Sequence, residues 1–343
     1  MELLRDSTPM VSLAVSVAAL YARAVSSRLR PGIPRLTALL PVAAFLAAAP
    51  LAFSSSATIR GVAAFFLAWL GVFKVALLAV GLGPLDPALP VLPFLFIAAL
   101  PVKLVTRGGG GGTRPAGEAA AASERRAPAF LVSCAAKVAV MAALLHAYRF
   151  KERLPLYARL AMYGVHMYCF FDLLLPCIAA AACALGMEAE PQFDRPYLAS
   201  SLRDFWGRRW NLVVPAVLRP SVYGPVRARA GRAAGVLAAF LVSGLMHEVL
   251  VCYLTLRPPT GEMAAFFLIH GACCVVEGWC AARGWPPAPP RTVATLFVVA
   301  FVAATAFWLF FAPINRDGGE EVLLEEWTAV AAFVGDAGRK LFR

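Results

Sequence analysis

The feature that most constrains this chain is the recurrence of apolar runs long enough to cross a bilayer. A transmembrane helix needs about 20 predominantly apolar residues, because each backbone N–H and C=O in hydrocarbon must find its partner inside the segment. Runs of this kind fall near residues 9–28, 36–54, 61–83, 88–105, 128–148, 157–188, 233–256, 262–282 and 292–314. No alternating strand pattern, heptad run or internal repeat accompanies them. The expectation is an all-α, multi-pass transmembrane protein with about eight or nine spans. Composition agrees: 60% of the 343 residues are hydrophobic and 15% charged, with a mean hydropathy of +0.71. A soluble domain of this length would need far more charge to cover its surface.

The polar remainder organises the chain. Residues 106–127 hold five consecutive glycines followed by scattered Pro, Ser and Arg, which predicts a flexible loop between N-terminal transmembrane helices (1–105) and a more polar region (128–343). The glycines lack a GxxxxGK[ST] context, so they point to a linker and not to a phosphate cradle. Net charge is +12, and Arg and Lys gather in the connections, notably Arg203, Arg208 and Arg209, then Arg219, Arg227, Arg229 and Arg232. That distribution suits cytosolic loops beside anionic lipid, with no nucleic-acid partner. Glu2, Arg5 and Asp6 precede the first run and no small-residue cleavage site follows before Arg23, so it reads as a retained helix. The eight cysteines form no CxxC pair, which indicates neither a disulfide framework nor a zinc ribbon. Pro176 should kink or break the 157–188 run, and the charged stretch from Glu320 should be an amphipathic surface helix or a short last span.

Ionisable side chains inside spans are costly and therefore point to function. Lys74, Lys137, Asp172, His247, Glu248 and Glu277 qualify. His247 lies close to the middle of the 233–256 run, so it should sit near the bilayer midplane, where a neutral imidazole can accept a proton. Ser243 shares its helix face and could orient or satisfy the ring, whereas Glu248 points about 100° away. In the next run His270, Cys273 or Cys274, and Glu277 share a face, as a polar seam or a metal site. With four histidines and no HxxxH or ExxH pair, no resident metal is expected.

The densest polar cluster is FWGRRWN, residues 205–211, preceded by PQFDRPYLASSLRD. Beside a mid-membrane base it suits the handling of an acyl-CoA, whose anionic head and apolar tail call for phosphate contacts at the surface and a carbonyl site below. Arg208 and Arg209 can clamp phosphate, and Trp206 and Trp210 can flank the acyl path at headgroup level. Asn211 offers a neutral amide donor to the thioester carbonyl or its oxyanion, and His247 takes the proton of an attacking alcohol. Asp204, Ser243, His270 and Glu277 complete the expected substrate-binding set. Alcoholysis of a thioester needs no cofactor beyond acyl-CoA as co-substrate.

These residues carry a family resemblance. PQFDRPYLASSLRDFWGRRWNLVVPAVLRPSVYGPV, then FLVSGLMHEVL and FFLIHGACCVVE, with FFLAWLGVFKVALLAVGLGPL upstream, resemble the plant wax synthases. These are long-chain-alcohol O-fatty-acyltransferases, similar to membrane-bound O-acyltransferases. The resemblance spans about residues 60–315 and implies a multi-pass endoplasmic reticulum enzyme that joins acyl-CoA to a long-chain fatty alcohol. It also implies His247 and Asn211 as the catalytic pair. Sterol or diacylglycerol is the alternative acceptor within the class. A transporter, with Lys74, Lys137, Asp172 and Glu277 lining a polar path, is the alternative outside it.

Overall fold

The computed structural model describes residues 6–102, 116–185, 187, 189–285 and 289–341. Its elements are all helices. The N-terminal part contains α1 (Thr8–Arg28), α2 (Ile33–Ala48), α3 (Ala57–Ala63), α4 (Val72–Ala79) and α5 (Val91–Ala99). A π-helical stretch, Ala64–Gly71, fuses α3 to α4. After it come α6 (Ala116–Ala147) and α7 (Leu156–Ala184). The remainder holds α8 (Leu202–Asp204), α9 (Val213–Leu218), α10 (Gly224–Thr255), α11 (Glu262–Arg283), α12 (Arg291–Thr305), α13 (Ala312–Asn315) and α14 (Gly319–Leu341).

Among the described residues, eight helical stretches are long and apolar enough to cross a membrane. The segment expected at 88–105 is not one of them. Its helix, α5, has nine residues, because Pro90 precedes it and Leu100 turns extended before Pro101, the conformation a following proline imposes. Pro176 lies inside α7 without ending it, a tolerance seen where neighbouring helices can satisfy a freed carbonyl. The 233–256 run belongs to a longer stretch, Val213–Thr255, interrupted at Gly231, whose φ of +83° leaves the helical region. The glycine run of the expected linker lies outside the described residues, and α6 is already helical from Ala116. The charged C-terminal stretch forms α14, which is not among the spans.

Most buried charges in this fold serve helix ends. The first N–H and last C=O groups of a helix have no partner within it, and the helix dipole favours anions at the start and cations at the end. Lys74, 1% exposed, donates from Nζ to the carbonyls of Ile97 and Leu100, both at 2.7 Å, and so closes the end of α5. Arg35 serves Ser26 and Leu29 at the end of α1 and Leu78 in α4. Arg60 serves Tyr253 and Leu254 at the end of α10. Carboxylates do the converse. Glu326 of α14 accepts the N–H groups of Ala57 (2.6 Å) and Thr58 (2.9 Å) at the start of α3. Glu248 accepts those of Thr260 and Ala264, each at 3.1 Å, where α11 begins. Lys137 and Asp172 pair at 2.9 Å between α6 and α7.

The α10–α11 contact fixes the centre of the molecule. A Cβ added at Gly244 would lie 2.8 Å from Cα of Ala264, so only glycine lets the two backbones approach this closely. Small residues are the usual means of close helix packing in lipid, where dispersion rather than water exclusion drives association.

Candidate active site

A cavity of about 1170 Å³ runs between α3, α7, α10, α11 and the segments 205–219 and 299–327. It exceeds the roughly 300–1,000 Å³ typical of small-molecule pockets, and most of its lining is aromatic or aliphatic. Trp206, Trp210, Asn211, Ser243 and His247 all line it. The two catalytic candidates, 36 residues apart by number, therefore face one space.

His247 is held on several sides. Its Nδ1 lies 2.7 Å from the main-chain oxygen of Ser243. A carbonyl only accepts, so Nδ1 carries the proton and Nε2 keeps its lone pair. The serine contribution expected from the hydroxyl thus comes from the backbone. The ring stacks on Phe267, with centroids 4.2 Å apart at 28°, and meets the edge of Trp69 at 4.8 Å.

The FWGRRWN segment is not a regular helix. Phe205–Arg209 form a π-helical turn, closed by Trp210 N–H donating to the Phe205 carbonyl at 2.9 Å. π-Bulges of this kind recur at functional sites. Asn211 then takes φ +43°, the left-handed region that asparagine tolerates better than most residues. The PQFDR segment pins the turn from outside: Asp194 N–H donates to Arg209 O and Leu212 N–H to Gln192 O, each at 2.9 Å. Asn211 Oδ1 is buried and has no partner among the described residues. A buried, unpaired amide oxygen is expensive unless a ligand completes it.

The other expected contacts sort differently. Trp206 and Trp210 are half-buried in the cavity wall, with Phe205 stacked on Trp210 at 5.5 Å. The exposed tryptophans are Trp279 and Trp285 of α11 and its C-terminal flank, and Trp308. Arg209 donates from Nε to Asp204 Oδ2 at 2.6 Å and from Nη1 to Asp194 O at 3.0 Å. Asp204 and Arg209 are therefore occupied with each other. Arg208 is exposed and has no ion-pair partner among the described residues. It lines a separate polar hollow of about 360 Å³ with Arg203, Asp204, Arg209 and Arg291. Arg203 lines both this hollow and the apolar cavity.

Glu277 and His270 line neither space. Glu277 accepts Leu202 N–H at 2.8 Å and Arg203 N–H at 3.0 Å, holding the start of α8 and so the approach to FWGRRWN. His270, 0% exposed, accepts from Trp206 Nε1 at 3.0 Å and contacts Thr305 Oγ1 at 2.9 Å. Both depart from the expected substrate contact, because their polar atoms are spent on the protein. Among the described residues no three His, Cys, Asp or Glu side chains converge as metal ligands do. Sequence reasoning also missed Trp69, Phe267 and Thr305, since only tertiary contacts make them relevant, and it read Arg219 and Arg232 as topology charges although both line the cavity. None of Lys74, Lys137, Asp172 or Glu277 lines that cavity, so the buried charges trace no path through it.

Comparison with known proteins identifies the family. Residues 189–269, which contain FWGRRWN and His247, match the membrane bound O-acyl transferase family. Probable long-chain-alcohol O-fatty-acyltransferase 1 of Arabidopsis thaliana is 38% identical over 316 residues, covering 89% of this chain and 90% of the relative. Long-chain-alcohol O-fatty-acyltransferase of Simmondsia chinensis is 37% identical over 307 residues, 86% of each chain. Acyl-CoA–sterol O-acyltransferase 1 of Arabidopsis thaliana is 34% identical over 349 residues, 95% of this chain and 96% of the relative. With such likeness along nearly its whole length, this multi-pass membrane protein is an acyltransferase and belongs to the plant wax synthase family of membrane-bound O-acyltransferases.

Proposed function

We propose that the chain transfers the acyl group of a long-chain acyl-CoA to a long-chain fatty alcohol, making a wax ester at the endoplasmic reticulum membrane. The observation that carries this reading is the large apolar cavity onto which both His247 and Asn211 face. His247 Nε2 removes the proton of the alcohol as its oxygen attacks the thioester carbonyl. The Asn211 amide N–H donates to the oxygen on which negative charge develops. As the tetrahedral carbon collapses, the C–S bond breaks and the protonated His247 returns the proton to the departing CoA sulfur. The ester and CoA thiol leave, with atoms and charge balanced and acyl-CoA as the sole co-substrate. Arg203 and Arg208, in the polar hollow beside the apolar cavity, suit the phosphates of the donor.

The test is ester formation from radiolabelled palmitoyl-CoA and hexadecanol in membranes carrying wild type, His247→Ala or Asn211→Ala. Loss of ester in both variants at equal expression supports the reading, and full activity of His247→Ala overturns the base. Unchanged wild-type activity in EDTA is expected, and a fluorescent fusion should coincide with an endoplasmic reticulum marker. A sterol acceptor is the second reading, favoured by the 34% identity to a sterol acyltransferase over nearly its whole length. Lipid profiling in a host without its own esterifying enzymes separates the two by product.

A further inference from the structure

We infer that His270 and Thr305 form a tautomer-setting pair that positions Trp206, and through it the aromatic support of His247. The inference rests on the acyltransferase reading in which His247 is the base. Thr305 Oγ1 lies 2.7 Å from the carbonyl oxygen of Phe301 and 3.2 Å from that of Val302. Carbonyls only accept, so the hydroxyl proton is committed to them and Oγ1 can only accept from His270. His270 Nε2, 2.9 Å away, must therefore carry the ring proton. Nδ1 is left with a lone pair, and Trp206 Nε1, a donor that cannot accept, sits 3.0 Å from it.

The direction of every bond is fixed: indole N–H to His270, His270 to Thr305, Thr305 to the α12 backbone. If the proton moved to Nδ1, that N–H would face the indole N–H and the contact would turn repulsive. His270 is fully buried and lines neither the apolar cavity nor the polar hollow, so it acts through Trp206. Trp206 does line the cavity and packs on Phe267 with centroids 5.5 Å apart. Phe267 in turn stacks under the His247 ring at 4.2 Å. Holding Trp206 thus holds the surface against which the base lies, which matters because small misplacements of a reacting group cost large factors in rate.

Thr305→Val keeps the shape and removes the acceptor, while Thr305→Ser restores it. Thr305→Val should lower kcat about tenfold, the effect of about one hydrogen bond, with KM for palmitoyl-CoA within about twofold. Thr305→Ser should match wild type. In a Trp206→Phe background, which has no indole N–H to place, Thr305→Val should have no further effect. With only four histidines in the chain, ¹⁵N-histidine NMR of the detergent-solubilised protein can follow His270 directly. It should show Nε2–H alone in wild type and Thr305→Ser, and mixed tautomers in Thr305→Val. Wild-type kcat in Thr305→Val, or equal fold-losses from that change in both backgrounds, would overturn the inference. An unshifted tautomer would do the same. Activity of His247→Ala is a separate readout: its persistence removes the base assignment, whereas the Thr305–Trp206 coupling fails or stands on its own cycle.

Discussion

His247 donates its Nδ1 proton to the Ser243 carbonyl oxygen, 2.7 Å away and one helical turn earlier. The acceptor belongs to the backbone, so the ring's tautomer is built into α10 itself. Nε2 is then the only ring atom able to take a proton from a substrate. Removing the imidazole in His247→Ala should lower kcat by about 100- to 10,000-fold, the usual worth of a general base. Ser243→Ala keeps the carbonyl and should stay within about threefold of wild type, since no bond from its hydroxyl orients the ring. A loss in Ser243→Ala comparable to that in His247→Ala, measured as ester formed per folded enzyme, would show that the hydroxyl and not the carbonyl orients the base.

Asn211 combines a positive φ of 43° with a buried amide oxygen that has no partner among the described residues. Backbone and side-chain roles separate by substitution. Asn211→Gly suits the left-handed backbone but lacks the amide, whereas Asn211→Ala loses the amide and adds about 1 kcal/mol of backbone strain. Both should lose about 100- to 1,000-fold in kcat, the scale of one oxyanion donor. Asn211→Gly should nonetheless melt at a higher temperature than Asn211→Ala. If Asn211→Gly were fully active, the asparagine would be present only for its backbone.

The sequence drew attention to the proposed catalytic pair because each residue breaks a local rule: a histidine in the middle of an apolar run, and an amide inside an aromatic, basic heptad. It made the spans legible because lipid demands long apolar helices. What it hid were pairings. Nothing local says that Glu277 reaches the N–H groups of Leu202 and Arg203, 75 and 74 positions away by number. Likewise Lys74 looks like part of a polar path until α5 is seen to end against it. The 88–105 error was avoidable in part, since Pro90 and Pro101 bracket a helix too short to cross.

Glu277 accepts two backbone N–H groups at the entrance to the FWGRRWN turn. Bonds to a charged acceptor contribute about 1.5–3 kcal/mol each. Glu277→Ala should therefore loosen the turn, lowering the melting temperature in detergent and raising KM for palmitoyl-CoA, while Glu277→Gln, which still accepts one bond, recovers part of both. Glu277→Ala with wild-type stability and raised KM alone would instead make Glu277 a direct substrate contact.

The two arginines of the heptad should behave as opposites. Arg209 is bound to Asp204 at 2.6 Å, with both side chains largely shielded. Removing either member strands the other, so Arg209→Ala and Asp204→Ala should each destabilise the fold, and the double variant should cost less than the sum of the two single changes, because it leaves neither charge stranded. Arg208 is exposed in the hollow shared with Arg203 and Arg291, where a cation acts on an anionic ligand through solvent. Arg208→Ala should leave stability unchanged and raise KM for palmitoyl-CoA several-fold at low salt. That penalty should shrink at about 0.5 M salt, where the screening length falls well below 10 Å. A KM effect of Arg208→Ala that is independent of salt would mean the side chain acts by shape rather than by charge.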